Sequence, residues 1–158
     1  MRSGRIPHRG ALVLVAALAA FGLAACGGDE ETTDGAGGGT TVAVTLQEFA
    51  VIPAQDSAPG GSVTFEATNE GPEDPHELVV IRTDLAPDAL PTDENGAVDE
   101  GGEGIEVIGE IEEFPVGETQ SATLELEAGA YALICNVYEE AEDESHYQVG
   151  MRTGFTVE

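Results

Sequence analysis

The chain has 158 residues, 31 Asp and Glu against five basic residues, all Arg, and a formal charge of −26. That length is too short for two well-buried cores, and that charge excludes nucleic acid as a partner, because phosphate binding needs Lys and Arg to displace counterions. Three His, two Cys, two Met and no Trp also exclude a trinuclear copper oxidase or any site that needs many histidines.

Arg2, Arg5 and Arg9 precede an uncharged apolar run over residues 11–25, ending Leu23-Ala24-Ala25-Cys26. Fifteen apolar residues fall short of the roughly 20 that span a bilayer, so residues 1–25 read as an export signal. The Leu-Ala-Ala-Cys ending resembles the lipobox of bacterial lipoproteins, which implies cleavage before Cys26 and lipidation of that residue. The processed chain would carry Arg82 and Arg152 against all 31 acids, a net −29. Its only membrane association would be the lipid anchor. Residues 26–40 comprise the lipidated Cys and a Gly- and acid-rich tether with a reach of about 20 Å. The expected location is outside the cytoplasmic membrane, at the cell surface or in the periplasm.

From residue 41 to 158 the hydrophobic period is two. Residues 41–46 alternate, and 49–52 continue the pattern to Pro53. A turn at 58–61 leads to 62–68, with Val63, Phe65 and Ala67 on one face. Residues 76–83 are apolar on both faces, which predicts a central strand, and so are 129–137. Residues 105–114, 119–127 and 151–157 supply three more strands, for about seven in all. The class is all-β, an antiparallel Greek-key sandwich. Residues 84–104 are acidic, with two Pro and several Gly, and are longer than ordinary connections. They read as an elaborated surface connection with a short helix near 87–90.

The rare side chains of this domain are His76, Cys135, His146 and Met151. One Cys cannot make an intradomain disulfide, and a lone exported thiol survives when it is buried or holds a metal. Two imidazoles, a thiolate and a thioether are the ligand set of a trigonal copper site with a weak axial Met. His76 opens a strand. Cys135 ends another, sharing a face with Tyr131 and Leu133, and His146 and Met151 lie in the loop before the last strand.

His-Glu-Leu-Val-Val at 76–80, Gly129-x-Tyr131-x-x-x-Cys135, His146 four residues before Met151, and the ending Gly-Met-Arg-Thr-Gly-Phe-Thr-Val together resemble the cupredoxins, the blue (type 1) copper proteins. The resemblance covers most of 41–158. It implies one type 1 copper held equatorially by His76, Cys135 and His146 and axially by Met151, with Tyr131 packed beneath. It also implies that His146 is the ligand nearest solvent. Ten residues separate Cys135 from His146, where short-loop members have two to four.

The function expected from this resemblance is one-electron transfer by a monomeric lipoprotein that is not an enzyme, serving a redox protein partner. The alternative is a copper-buffering or delivery lipoprotein with the same ligands; a third class is a metal-free scaffold. Glu139, Glu140, Glu142, Asp143 and Glu144 lie in the ligand loop, where they are candidates for docking a basic partner.

Overall fold

The computed structural model describes residues 39–158. The signal sequence, Cys26 and the tether up to residue 38 lie outside the described residues.

Alternating Val42, Val44 and Leu46 make β1 (Thr40–Gln47), and a tight turn returns the chain as β2 (Ala50–Pro53) along its edge. After β3 (Ser57–Ala58) comes the long β4 (Gly61–Gly71), whose Val63, Phe65 and Ala67 are all fully buried. β5 (His76–Arg82), β6 (Glu106–Phe114), β7 (Thr119–Leu126) and β8 (Gly129–Ile134) follow, then a ribbon of β9 (Tyr138–Glu139) and β10 (Glu144–Ser145). A single helical turn, α1 (His146–Val149), leads into the final strand β11 (Arg152–Val157). The seven strands expected from periodicity are all present. Three of the added ones are two-residue pieces too short for a two-residue period to reveal; β2, whose alternation was expected to continue the first strand, turns back beside it instead.

One sheet has the order β2-β1-β4-β7 and the other β3-β11-β8-β5-β6. The sandwich is mixed rather than purely antiparallel: β1 runs parallel to β4, and β11 to β3. The cause is the crossover through residues 48–60. It places β2 beside β1 and β3 beside β11 in the opposite sheet, so β4 re-enters in the direction of β1, as a parallel pairing requires.

The main core lies between the sheets. Val42, Val44 and Leu46 from β1 and Val63, Phe65 and Ala67 from β4 meet Leu78, Val80, Tyr131, Leu133, Phe155 and Val157 from the other side. Phe65 and Phe155 pack edge to face with centroids 5.6 Å apart. Each fully buried large side chain of this kind stabilises the fold by about 1.5–3 kcal/mol.

The strands read as two-faced, β5 and β8, are neighbours inside the five-stranded sheet. Their second face, with Val79, Ile81, Ala132 and Ile134, is covered by Leu90, Val98 and Tyr147. The 84–104 connection is therefore a third layer over part of the sheet. The helix expected near 87–90 is a turn instead, closed by Ala89 N–H donating to the Ala86 carbonyl at 2.9 Å. Prolines at 87 and 91 bracket it, and Leu90 N–H is taken by the Tyr147 hydroxyl, which leaves no ladder for a helix to propagate.

Candidate metal centre

Three distant segments deliver the donors to one end of the sandwich. His76 is the first residue of β5, on the inward face it shares with Leu78 and Val80. A register shift between His76 and Leu78 re-aims the start of the strand. The turn before it is held by Asn69, whose amide donates to the Asp74 and Phe114 carbonyls and whose Oδ1 accepts from Gly71 N–H. Cys135 extends the inward row of Tyr131 and Leu133 one step beyond β8, and its N–H donates to the Met151 carbonyl at 3.0 Å.

His146 comes from α1. Ser145 caps that turn by accepting from Gln148 N–H, and His146 N–H donates to the Val137 carbonyl at 3.0 Å. Met151 N–H donates to the His146 carbonyl at 2.9 Å, so the Met151 backbone bridges both other segments. Met151 is fully buried in the same apolar cluster as Cys135.

The donor atoms converge. His76 Nδ1 and His146 Nδ1 are 3.2 Å apart, and Cys135 Sγ lies 3.4 Å from His146 Nδ1 and 3.9 Å from His76 Nδ1. A point equidistant from the three sits about 2.0 Å from each, close to transition-metal distances of about 2.0 Å to imidazole and about 2.3 Å to thiolate. All three residues are 0 % exposed. Two imidazoles and a thiol that a metal would hold as thiolate, all fully buried beside a thioether, suit one type 1 copper.

In the metal-free cluster, burial disfavours charge on Cys135 and on His76. Burial pushes the Cys135 thiol up to about 12, beyond what the Glu77 and Val137 N–H groups can offset. Burial, and then the neighbouring His146, lower the His76 pKa, so that imidazole is neutral and free to act as a donor. Glu77 N–H lies 3.5 Å from Cys135 Sγ, aimed at the charge a bound metal would create there.

The surroundings of the cluster were not legible in the sequence. Glu77 Oε1 accepts from Asn136 N–H at 3.0 Å, tying the residue after one ligand to the residue after another. Asn136 also accepts from Val98 N–H at 2.6 Å and donates to the Val98 carbonyl and Glu100. Tyr147, next to His146, takes the Leu90 N–H at 3.0 Å and donates to the Pro87 carbonyl at 2.9 Å. Ser145 and Gln148 both donate to the Gly96 carbonyl. The 84–104 connection thus grips both ends of the ten-residue Cys–His loop. Arg152 secures the other side of α1, donating to the Tyr147 and Gln148 carbonyls with its guanidinium over the Tyr147 ring.

His146, expected to be the ligand nearest solvent, is fully buried, as are His76 and Cys135. Phe49, from the β1–β2 turn, lies over it with ring centroids 5.4 Å apart. The loop acids occupy the β9–β10 ribbon, with Glu140, Glu142 and Asp143 exposed and Glu139 and Glu144 half-buried. Asp143 sits in the left-handed region at φ 56° and accepts from the Tyr138 hydroxyl, which closes the ribbon. Glu48 approaches from the far side of His76: its carboxylate lies 3.8 Å from His76 Nε2. Burial alone would raise the pKa of Glu48, but the Asp74 and Glu73 N–H groups, with His76, outweigh it and keep the carboxyl below its usual range.

No protein-family model and no curated protein matches the chain. Among solved structures it is similar to the dithionite-reduced auracyanin of the photosynthetic bacterium Roseiflexus castenholzii, at 20 % identity and TM-score 0.51, over 77 % of this chain and 99 % of that one. It is similar to auracyanin A, a "blue" copper protein of Chloroflexus aurantiacus, at 20 % identity and TM-score 0.50, over 77 % and 100 %. Auracyanin B aligns at 21 % identity and TM-score 0.50, over 75 % and 88 %. The domain spanning residues 39–158 therefore has the cupredoxin fold.

Proposed function

We propose that the chain is a type 1 copper protein that carries single electrons and catalyses no reaction of its own. The observation that carries this reading is the convergence of His76, Cys135 and His146 with all three donors buried. Copper bound there would supply a one-electron Cu(II)/Cu(I) couple. The Cys135 thiolate favours Cu(I), and the two imidazoles suit both states. Met151, buried in the same cluster as Cys135, would add a weakly binding thioether to the donor set. The braced loop holds the donors in one arrangement, so little rearrangement would accompany a change of oxidation state. A burial this complete also favours a carrier over a delivery module, because handing metal to another protein needs an open ligand.

The wider setting belongs to the same proposal. Lipidation at Cys26 would hold the domain on the outer side of the cytoplasmic membrane, with the tether that runs to residue 40 as the spacer. The acids at 139, 140, 142, 143 and 144 would steer a basic redox partner, accelerating encounter at low salt. Unchanged partner kinetics and salt dependence after neutralising all five would remove that assignment.

The test of the main reading is the visible spectrum of the full chain after addition of Cu(II). An intense thiolate-to-copper band, lost in Cys135→Ala, is expected. A chain that takes up Cu(II) without such a band is not a type 1 copper protein.

A further inference from the structure

Glu48 is out of place among the chain's carboxylates. Its side chain is only 10 % exposed, although an ionised carboxylate is costly to bury without partners. Oε1 is satisfied, accepting from Glu73 N–H at 2.9 Å and from Asp74 N–H at 2.6 Å. Oε2 is enclosed and has no partner. Among the described residues the other enclosed side-chain N and O atoms without a partner are His76 Nε2 and His146 Nε2. Of those two imidazoles only His76 has a carboxylate beside it, with Glu48 Oε1 at 3.8 Å.

We propose that Glu48 is the outer partner of His76: its carboxylate takes the Nε2–H of that imidazole, turns Nδ1 toward the metal position and favours the oxidised metal. The inference rests on the copper reading. Closing 3.8 Å to a charge-assisted bond of about 2.8 Å takes a shift of about 1 Å and gives the orphaned His76 Nε2 an acceptor. A ligating imidazole that donates its other N–H to a carboxylate is fixed in one tautomer and is a stronger donor. A negative charge one imidazole away stabilises the higher charge of Cu(II) over Cu(I). Glu48 is then a positioning residue for one ligand only, which makes the two imidazoles unequal. In the metal-free protein the assignment orders the facing nitrogens: His146 Nδ1–H donates and His76 Nδ1 accepts.

Glu48→Gln separates this role from simple anchoring of the 73–74 turn, because Gln keeps an oxygen for the Glu73 and Asp74 N–H groups while it loses the charge and replaces the other oxygen with an N–H donor. In the copper-loaded full chain the variant is expected to keep its fold by circular dichroism and to bind Cu(II) about 10–100-fold more weakly. The Cu(II)/Cu(I) balance should move about tenfold toward Cu(I), a rise of about 59 mV in potential. Nitrogen-15 NMR of the metal-free, wild-type full chain should show His76 protonated at Nε2. An unmoved potential in a folded Glu48→Gln protein overturns the proposal. So does a His76 ring protonated at Nδ1 in the wild type, which decides the matter even if the variant does not fold. Absence of a Cys135-dependent band in the wild type defeats the copper reading itself, and this inference with it. A normal wild-type band with an unmoved variant potential defeats the Glu48 assignment alone.

Discussion

His76 Nδ1 and His146 Nδ1 face each other at 3.2 Å across a space closed to water, with Cys135 Sγ completing the triangle. Without a cation, one nitrogen must donate a proton to the other, and the thiol keeps its own. A bound cation would need all three lone pairs turned inward, so the cluster would exchange protons for metal.

Because burial pushes the Cys135 thiol up to about 12, it is protonated at neutral pH and must lose that proton to bind. Uptake of Zn(II), a redox-inert probe, should release one proton per metal. The apparent Kd should rise about tenfold for each unit that pH falls below neutrality. A pH-stat titration of the full chain measures the first, and a chelator competition at several pH values the second. Uptake without proton release would remove Cys135 from the ligand set.

The grip of the 84–104 connection on the ligand loop predicts a specific non-additivity. Tyr147→Phe strands the Leu90 N–H and the Pro87 carbonyl, and Asn136→Ala strands both backbone groups of Val98. Each change should destabilise the domain by about 1–3 kcal/mol in urea unfolding. The double variant should lose less than the sum, because either change already loosens the same connection. Both single variants should also release metal to a chelator faster than the wild type.

Phe49→Ala should uncover His146 without dismantling the core. Phe49 is partly buried at the rim of the main cluster, so the expected cost is about 1–3 kcal/mol, below the value for a central Phe. In the metal-free variant the His146 ring should become reactive toward an imidazole-modifying reagent that leaves the wild type untouched. Mass spectrometry of the modified peptide is the readout.

Glu77 predicts an unusual pH dependence. Burial, reinforced by Glu100, Glu110 and Glu113, raises its pKa from 4.5 to about 7 against the lowering effect of the Asn136 N–H. Between those two values the folded chain holds a proton that the unfolded chain has released. Its contribution to stability is thus fully present below about 4.5 and is lost as pH rises through about 7. In the metal-free protein, Glu77→Gln should flatten the fall in stability between pH 5 and 8 by up to about 3 kcal/mol. Gln retains the oxygen that accepts from Asn136. Parallel urea midpoints for both proteins test it.

The sequence by itself determined the strands and the donors. Val63, Phe65 and Ala67, or Tyr131, Leu133 and Cys135, share a face because a strand repeats every two residues, and that period is visible over a few positions. His76, Cys135, His146 and Met151 stood out because the domain has so few residues of their kinds. Only the tertiary structure decided what surrounds them. Glu48 is one acid among 31 until the β1–β2 turn lays it against His76, and Phe49 is an ordinary strand-edge aromatic until that turn covers His146. The 84–104 segment, read as a surface connection, became the cover of β5 and β8 and the brace of the ligand loop. Such contacts join residues tens of positions apart through packing and single hydrogen bonds. Neither leaves a periodic trace in the chain, and they are what close the site.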